Sequence, residues 1–186
     1  TNLNTLSLHD ALPILVNAIT GVLKRRILKN MANENKHTER IGLFVGSFDP
    51  FTIGHDSIVR RTLPLFDKIV IGIGVNERKQ YMQTTEQRMS AIQQLYADIP
   101  QIKVKNYSDL TIDFAKREQA TFFIKGVRSI KDFEYEREQA DINRFLSGIE
   151  TLLIVAEPQF ASISSSLVRE LIHFGRDVSK FLPRKR

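Results

Sequence analysis

From residue 41 the chain alternates between short apolar runs and longer segments whose apolar positions recur every three or four residues. The run 41–45, Ile41-Gly42-Leu43-Phe44-Val45, predicts a strand. The stretch 54–66 follows, with Ile58, Val59, Leu63 and Phe66 apolar among Asp56, Arg60 and Arg61, and predicts a helix. The β-branched run 69–75 predicts a buried parallel strand. After a polar loop at 76–83, Thr84-Thr85-Glu86-Gln87 starts a helix with Met89, Ile92 and Leu95 as its stripe. Pro100 separates it from a strand at 102–104, and a helix over 110–115 carries Ile112, Phe114 and Ala115. The next strand is 121–124, with Lys125-Gly126-Val127-Arg128 as its exit loop. A charged helix over 132–146 is expected to turn Phe133, Ala140, Ile142 and Phe145 inward. A fifth strand covers 152–155, a helix capped by residues 162–166 reaches 174, and 178–182 predicts a short terminal helix. Five strands alternating with helices define an α/β, doubly wound, five-stranded parallel sheet.

Residues 1–30 do not follow this pattern. Residues 11–23 are mostly apolar but too short for a bilayer, which needs about 20 residues. The cluster Lys24-Arg25-Arg26 follows that run, whereas a secretory signal carries its charges in front. Met31 precedes a polar stretch leading to the first strand, so translation is expected to begin there, with 1–30 not native. An amphipathic anchor is the alternative. The domain expected to carry the function is 41–186, with 1–40 as an extension.

Charge narrows the function classes. The net charge is +6, but residues 41–183 hold 18 charges of each sign. The excess sits in residues 1–40 and in Arg184-Lys185-Arg186, so no basic stripe for nucleic acid crosses the domain. With no cysteine, disulfides, Cys–zinc sites and thiol catalysis are excluded. A cytoplasmic protein with neither a nucleic-acid nor a membrane partner is expected.

Four strand exits carry polar chemistry: 46–55, the loop with Arg78 and Lys79, 125–128, and Ser162-Ile163-Ser164-Ser165-Ser166 ahead of a helix. In a doubly wound sheet these loops share one edge. Cations, hydroxyls, a histidine and a helix amino end suit a polyphosphate. Phosphoryl and nucleotidyl transfer need positioning and charge neutralisation rather than a protein nucleophile. Direct attack of one bound substrate on the other is therefore expected.

The loop Gly46-Ser47-Phe48-Asp49-Pro50-Phe51-Thr52-Ile53-Gly54-His55 resembles the signature of the HxGH nucleotidyltransferase superfamily, in its Thr-x-Gly-His form. The blocks S-D-L-T at 108–111, K-G-V-R-S-I-K-D-F-E-Y-E at 125–136, N-R at 143–144 and S-I-S-S-S-L-V-R-E at 162–170 are similar to bacterial phosphopantetheine adenylyltransferases. The resemblance implies a Rossmann-like nucleotidyltransferase fold and AMP transfer from ATP to 4′-phosphopantetheine, giving dephospho-CoA and pyrophosphate. It also implies Mg²⁺ without a direct protein ligand, a homohexamer, and coenzyme A as a feedback ligand.

By position, the resemblance gives catalytic roles to His55, as transition-state stabiliser, and to Lys79 and Arg128. ATP would meet Ser47, Phe48, His55, Gly126, Val127, Arg128, Glu136, Phe160, Ala161, Ser162, Ile163, Ser164, Ser165 and Ser166. The acceptor would meet Ser47, Lys79, Thr111 and Lys125. Lys125 stands where the family usually has Arg, so a compact charge replaces a bidentate fork. Another adenylyl- or cytidylyltransferase is the rival within the superfamily.

Overall fold

The computed structural model describes Gly21, Lys24 and residues 38–185. The start at Met31 lies outside the described residues, as does the apolar run 11–23 apart from Gly21. In chain order the elements are β1 (Ile41–Gly46), α1 (Ile53–Thr62), β2 (Lys68–Gly74), α2 (Thr85–Leu95), β3 (Ile102–Tyr107) and α3 (Thr111–Arg117). They continue with β4 (Phe122–Val127), α4 (Ile130–Ser147), β5 (Glu150–Val155) and α5 (Ser165–His173). Short 3₁₀ turns at Leu63–Leu65 and Pro158–Phe160 follow α1 and β5.

All strand pairs are parallel, in the order β3-β2-β1-β4-β5. The chain winds outward from β1 through β2 to β3, crosses back, and winds the other way through β4 to β5. The order therefore reverses between β1 and β4, and ligands of open α/β sheets bind at the carboxyl end of such a point.

The strands carry two cores by simple alternation. On one face Phe44, Ile69, Ile71, Ile73 and Ile124 pack against Ile58 and Val59 of α1 and Ile92 of α2. On the other Leu43, Val45, Val70 and Phe123 pack against Phe114 and Ala115 of α3. β3 runs to Tyr107, past the expected end at 104, because it needs only one apolar face: Ile102 is buried, whereas Lys103 and Lys105 are exposed.

Helix ends follow local chemistry. Thr84 caps α2, accepting from Gln87 N at 3.2 Å while Gln87 Oε1 accepts from Thr84 N at 2.9 Å. Ser129 caps α4, whose far end closes on Gly148 at φ 74°. Pro64 turns the end of α1 into a 3₁₀ turn, so the helix stops at Thr62 rather than 66. The terminal helix expected at 178–182 is a single turn, closed by Phe181 N on the Val178 carbonyl at 2.9 Å.

The largest correction concerns α4. Phe133, Ile142 and Phe145 point outward, 45%, 52% and 88% exposed, and no residue of the helix is fully buried. Its half-buried positions are instead Asp132, Glu136, Gln139, Ala140, Asn143 and Ser147, a mostly polar stripe at helical spacing. α3 already fills the core on this face, and the inner side of α4 walls a polar cleft.

Candidate active site

The cleft opens at the carboxyl ends of β1 and β4, where the sheet order reverses. It has two compartments. One, about 470 Å³, is lined by the 46–55 loop, 125–128, the start of α4 and residues 160–166. The other, about 1020 Å³, runs beneath the loop after β2 towards Tyr107, Thr111 and the middle of α4. Val45, Gly46, Ser47, Lys79 and Lys125 line both.

The 46–55 loop is built around its aromatics. Phe48 takes a left-handed backbone, φ 48°, which a bulky residue holds only when its surroundings fix it. Its ring folds back over Gly46, where an added Cβ would approach the ring to 2.8 Å. That turn leaves Ser47 exposed at the junction of the compartments.

His55 is the third residue of α1 and faces the first compartment. Phe48 meets its ring edge-on at 5.2 Å, and Phe51 and Phe44 lie at 5.3 and 6.2 Å. Thr52 N donates to His55 Nδ1 at 3.0 Å. A backbone N–H can only donate, so Nδ1 is the unprotonated nitrogen and the ring proton sits on Nε2. Desolvation in this aromatic cage, helped by the charge of Arg128, lowers the His55 pKa from 6.5 to about 4. At neutral pH His55 is an uncharged donor.

The cations are held in place. Arg128 Nε donates to Asp132 Oδ2 at 2.8 Å, with a weaker contact from Nη2 to Oδ1 at 3.4 Å. Asp132 is itself positioned one turn into α4, with its N–H on the Ser129 cap. Lys125 Nζ lies 3.2 Å from Glu136 Oε2, an ion pair whose carboxylate oxygen is buried and makes no hydrogen bond. Lys79 N closes a turn on the Asn76 carbonyl at 2.9 Å, which places Lys79 at the rim of both compartments.

Each serine before α5 does something different. Ser164 caps the helix, accepting from Leu167 N at 3.1 Å. Ser165 Oγ donates to the Pro50 carbonyl at 2.9 Å, fastening the helix to the 46–55 loop. Ser166 Oγ accepts from Arg169 Nη2 at 3.0 Å.

Of the residues picked out by sequence, Ser47, Phe48, His55, Lys79, Lys125, Gly126, Arg128, Glu136, Phe160, Ile163 and Ser164 to Ser166 line the first compartment. Thr111 lines only the second, its hydroxyl 3.1 Å from that of Tyr107. Val127 is buried behind the wall, and Ala161 and Ser162 lie outside the lining. The sequence reading missed Asp132 and Arg169 in the first compartment and Gln139 and Asn143 in the second. The acidic and amide residues recur along one side of a helix, a signal present in the spacing 132, 136, 139, 143 but overridden by the apolar stripe. Among the described residues no group of three or more His, Cys, Asp or Glu is placed to hold a metal ion. None of the helices among them is long and apolar enough to cross a membrane.

Residues 43–171 match the cytidylyltransferase-like family model, which makes the chain a nucleotidyltransferase-type protein with its cleft where the sheet order reverses. Phosphopantetheine adenylyltransferases of Phocaeicola vulgatus and Bacteroides fragilis are 54% and 51% identical to it, over 77% and 78% of this chain and 95% and 97% of theirs. That of Porphyromonas gingivalis is 52% identical over 78% of this chain and 95% of its own. The chain belongs to the phosphopantetheine adenylyltransferase family. Solved structures share the fold at low identity. A Vibrio parahaemolyticus protein, provisionally described as a nicotinate-nucleotide adenylyltransferase, is 18% identical with TM-score 0.60, over 79% of this chain and 95% of that one. A bifunctional NMN adenylyltransferase/ADP ribose pyrophosphatase of Francisella tularensis is 14% identical with TM-score 0.61, over 80% of this chain and 46% of that one.

Proposed function

We propose that the protein transfers AMP from ATP to 4′-phosphopantetheine, releasing pyrophosphate and forming dephospho-CoA. The observation that carries this reading is the junction. Ser47, Lys79 and Lys125 line both compartments, so two phosphorylated ligands would meet there. ATP occupies the first compartment and the pantetheine arm the larger second one.

A phosphate oxygen of the acceptor attacks the α-phosphorus of ATP. The bond to the oxygen bridging the α- and β-phosphorus breaks, and its electron pair leaves with pyrophosphate. The attacking oxygen is already ionised at neutral pH, since a phosphomonoester has its second pKa at about 6, so no general base is needed. This matches His55, whose Nδ1 is engaged by Thr52 and whose proton is on Nε2. His55 donates that proton as a hydrogen bond to phosphate oxygens and does not titrate during the reaction. Arg128 offers the guanidinium edge that Asp132 leaves exposed, and the α5 amino end and Arg169 add further donors. Lys79 and Lys125 neutralise the acceptor phosphate. Mg²⁺ would arrive on the triphosphate as part of the substrate, and Arg128, Lys79 and the serine hydroxyls of the cleft would share the phosphate charge with it, while Asp132 and Glu136 are engaged by Arg128 and Lys125.

The outward apolar stripe of α4, together with Val155 at 69% exposure, supports self-association, with a homohexamer as the expected size and the cytoplasm as the place. The test is pyrophosphate release with ATP, Mg²⁺ and 4′-phosphopantetheine, each omitted in turn. Release that needs all three supports the reading. Silence with this acceptor but turnover with another phosphate overturns the substrate.

A further inference from the structure

The 46–55 loop also holds residues that line neither compartment. Asp49 is 2% exposed, and its carboxylate is taken up by the backbone of the neighbouring loop. Met82 N donates to Oδ2 at 2.8 Å and Gln83 N to Oδ1 at 2.9 Å. Arg88, in the first turns of α2 and 1% exposed, makes the return connection: its Nη1 donates to the Ser47 carbonyl at 2.6 Å. Its Nη2 donates to Thr85 Oγ1 at 3.0 Å, and its guanidinium lies 4.2 Å from the centre of the Tyr81 ring. The Tyr81 hydroxyl accepts from Asn76 N at 3.1 Å. The loop that carries Lys79 is thus tied at its entrance through Tyr81 and at its exit through Asp49, and both ties lead to the segment presenting Ser47.

We propose that Asp49 and Arg88 are positioning residues that fix the Lys79 loop against Ser47, and so hold the acceptor phosphate in line with the nucleotide. The proposal rests on the reaction assigned above. Two features favour it over plain packing. A carboxylate is the side chain that accepts from two successive N–H groups, one on each oxygen. An amide accepts on one side only and would point an NH₂ at the other donor. Arg88, in turn, sends its shortest bond to the carbonyl of Ser47, which lines both compartments. Its planar fork spans Ser47 and Thr85, which a lysine cannot do. The nucleotide side is braced separately, through Arg169 Nη1 on the Asp49 carbonyl at 2.6 Å and Ser165 on the Pro50 carbonyl. Loosening the Asp49 carboxylate therefore releases the acceptor side while the nucleotide side stays held.

Asp49→Asn tests this by steady-state kinetics with each substrate varied in turn. The expected result is a rise of at least about tenfold in KM for 4′-phosphopantetheine with a fall in kcat, while KM for ATP stays within about twofold. Arg88→Lys should lower kcat and raise KM for 4′-phosphopantetheine, with KM for ATP rising too because Ser47 lines both compartments; it carries the test if Asp49→Asn does not fold, and unchanged constants in it overturn the proposal. Amide hydrogen exchange adds a reading independent of substrate: Met82 and Gln83 should exchange faster in Asp49→Asn, with the β1 and β2 amides unchanged. For Asp49→Asn, a parallel rise in both KM values, or no change in either, overturns the proposal. Unaltered exchange at Met82 and Gln83 also overturns it. If the unaltered protein turns over no acceptor, the assigned reaction fails, and faster exchange at those two amides then supports the loop fastening alone.

Discussion

α1 and α4 both begin at the cleft, and they treat their apolar residues in opposite ways. α1 buries Ile58 and Val59 in the core beneath the sheet, and its other faces carry Asp56, Arg60 and Arg61. α4 is nearly twice as long, 18 residues against 10, yet buries none, and it presents Ile130, Phe133, Ile142, Phe145 and Leu146 outward. The difference lies in what each helix has behind it. α1 covers a sheet face made of Phe44, Ile69, Ile71 and Ile73. α4 has a cleft behind it, so its polar stripe turns inward and its apolar stripe faces outward. An amphipathic pattern shows that one side of a helix is covered, but not by what.

This comparison can be broken at four points, taken from the largest effect to the smallest. The greatest is at the amino end of α1. His55→Ala should lower kcat by roughly 10² to 10³, the usual cost of one transition-state donor, read as pyrophosphate release. A loss below tenfold would reduce His55 to a helix cap.

The second is the acid limb of stability. Folded His55 takes a proton only near pH 4, whereas the unfolded chain takes it near 6.5. Lowering the pH through that window protonates the unfolded state alone, so stability falls. Above pH 6.5 neither state holds the proton and the contribution is constant. The loss approaches about 3 kcal/mol by pH 4. Chemical denaturation from pH 7 to 4 should show a shallower decline in His55→Gln than in the unaltered chain.

Third, Val59→Ala in α1 removes fully buried methyl groups and should cost about 2 kcal/mol in urea unfolding. Smallest on that scale is Phe145→Ser in α4, expected within about 0.5 kcal/mol for the dissociated chain. Its effect should appear instead in sedimentation, as a shift towards smaller species. A core-sized loss in the dissociated chain would show that α4 packs within its own fold after all.

The fold was largely legible because its signals are local. The run at 69–75 is short and rich in β-branched residues, which favours a buried strand, and Thr84 with Gln87 announces a helix start within four residues. The loop from Ser47 to His55 was legible for the same reason, and so were the strand exits that converge on it. The orientation of α4 was not, because it depends on α3 having filled the core first. Nor were the braces of the site. Asp49 meets Met82 and Gln83 across 33 and 34 positions, and Arg169 meets the Asp49 carbonyl across 120. An acidic residue after Phe48 carries no mark of the N–H groups it will accept. Asp132 was within reach, since it stands four residues after Arg128.

His55 occupies the third position of α1, where a helix that begins with threonine usually has glutamate or glutamine reaching back to the capping residue's N–H. Here an imidazole does that with Nδ1 and points Nε2–H into the cleft. Heat resistance and turnover are therefore set against each other at one codon. Glutamine at position 55 would keep the reciprocal cap without setting a charge among the rings of Phe44, Phe48 and Phe51. It would also take away the imidazole Nε2–H. A library selected for thermal resistance alone should drift towards neutral capping side chains here and lose activity as it does so, the trade-off of a site built from the end of a helix.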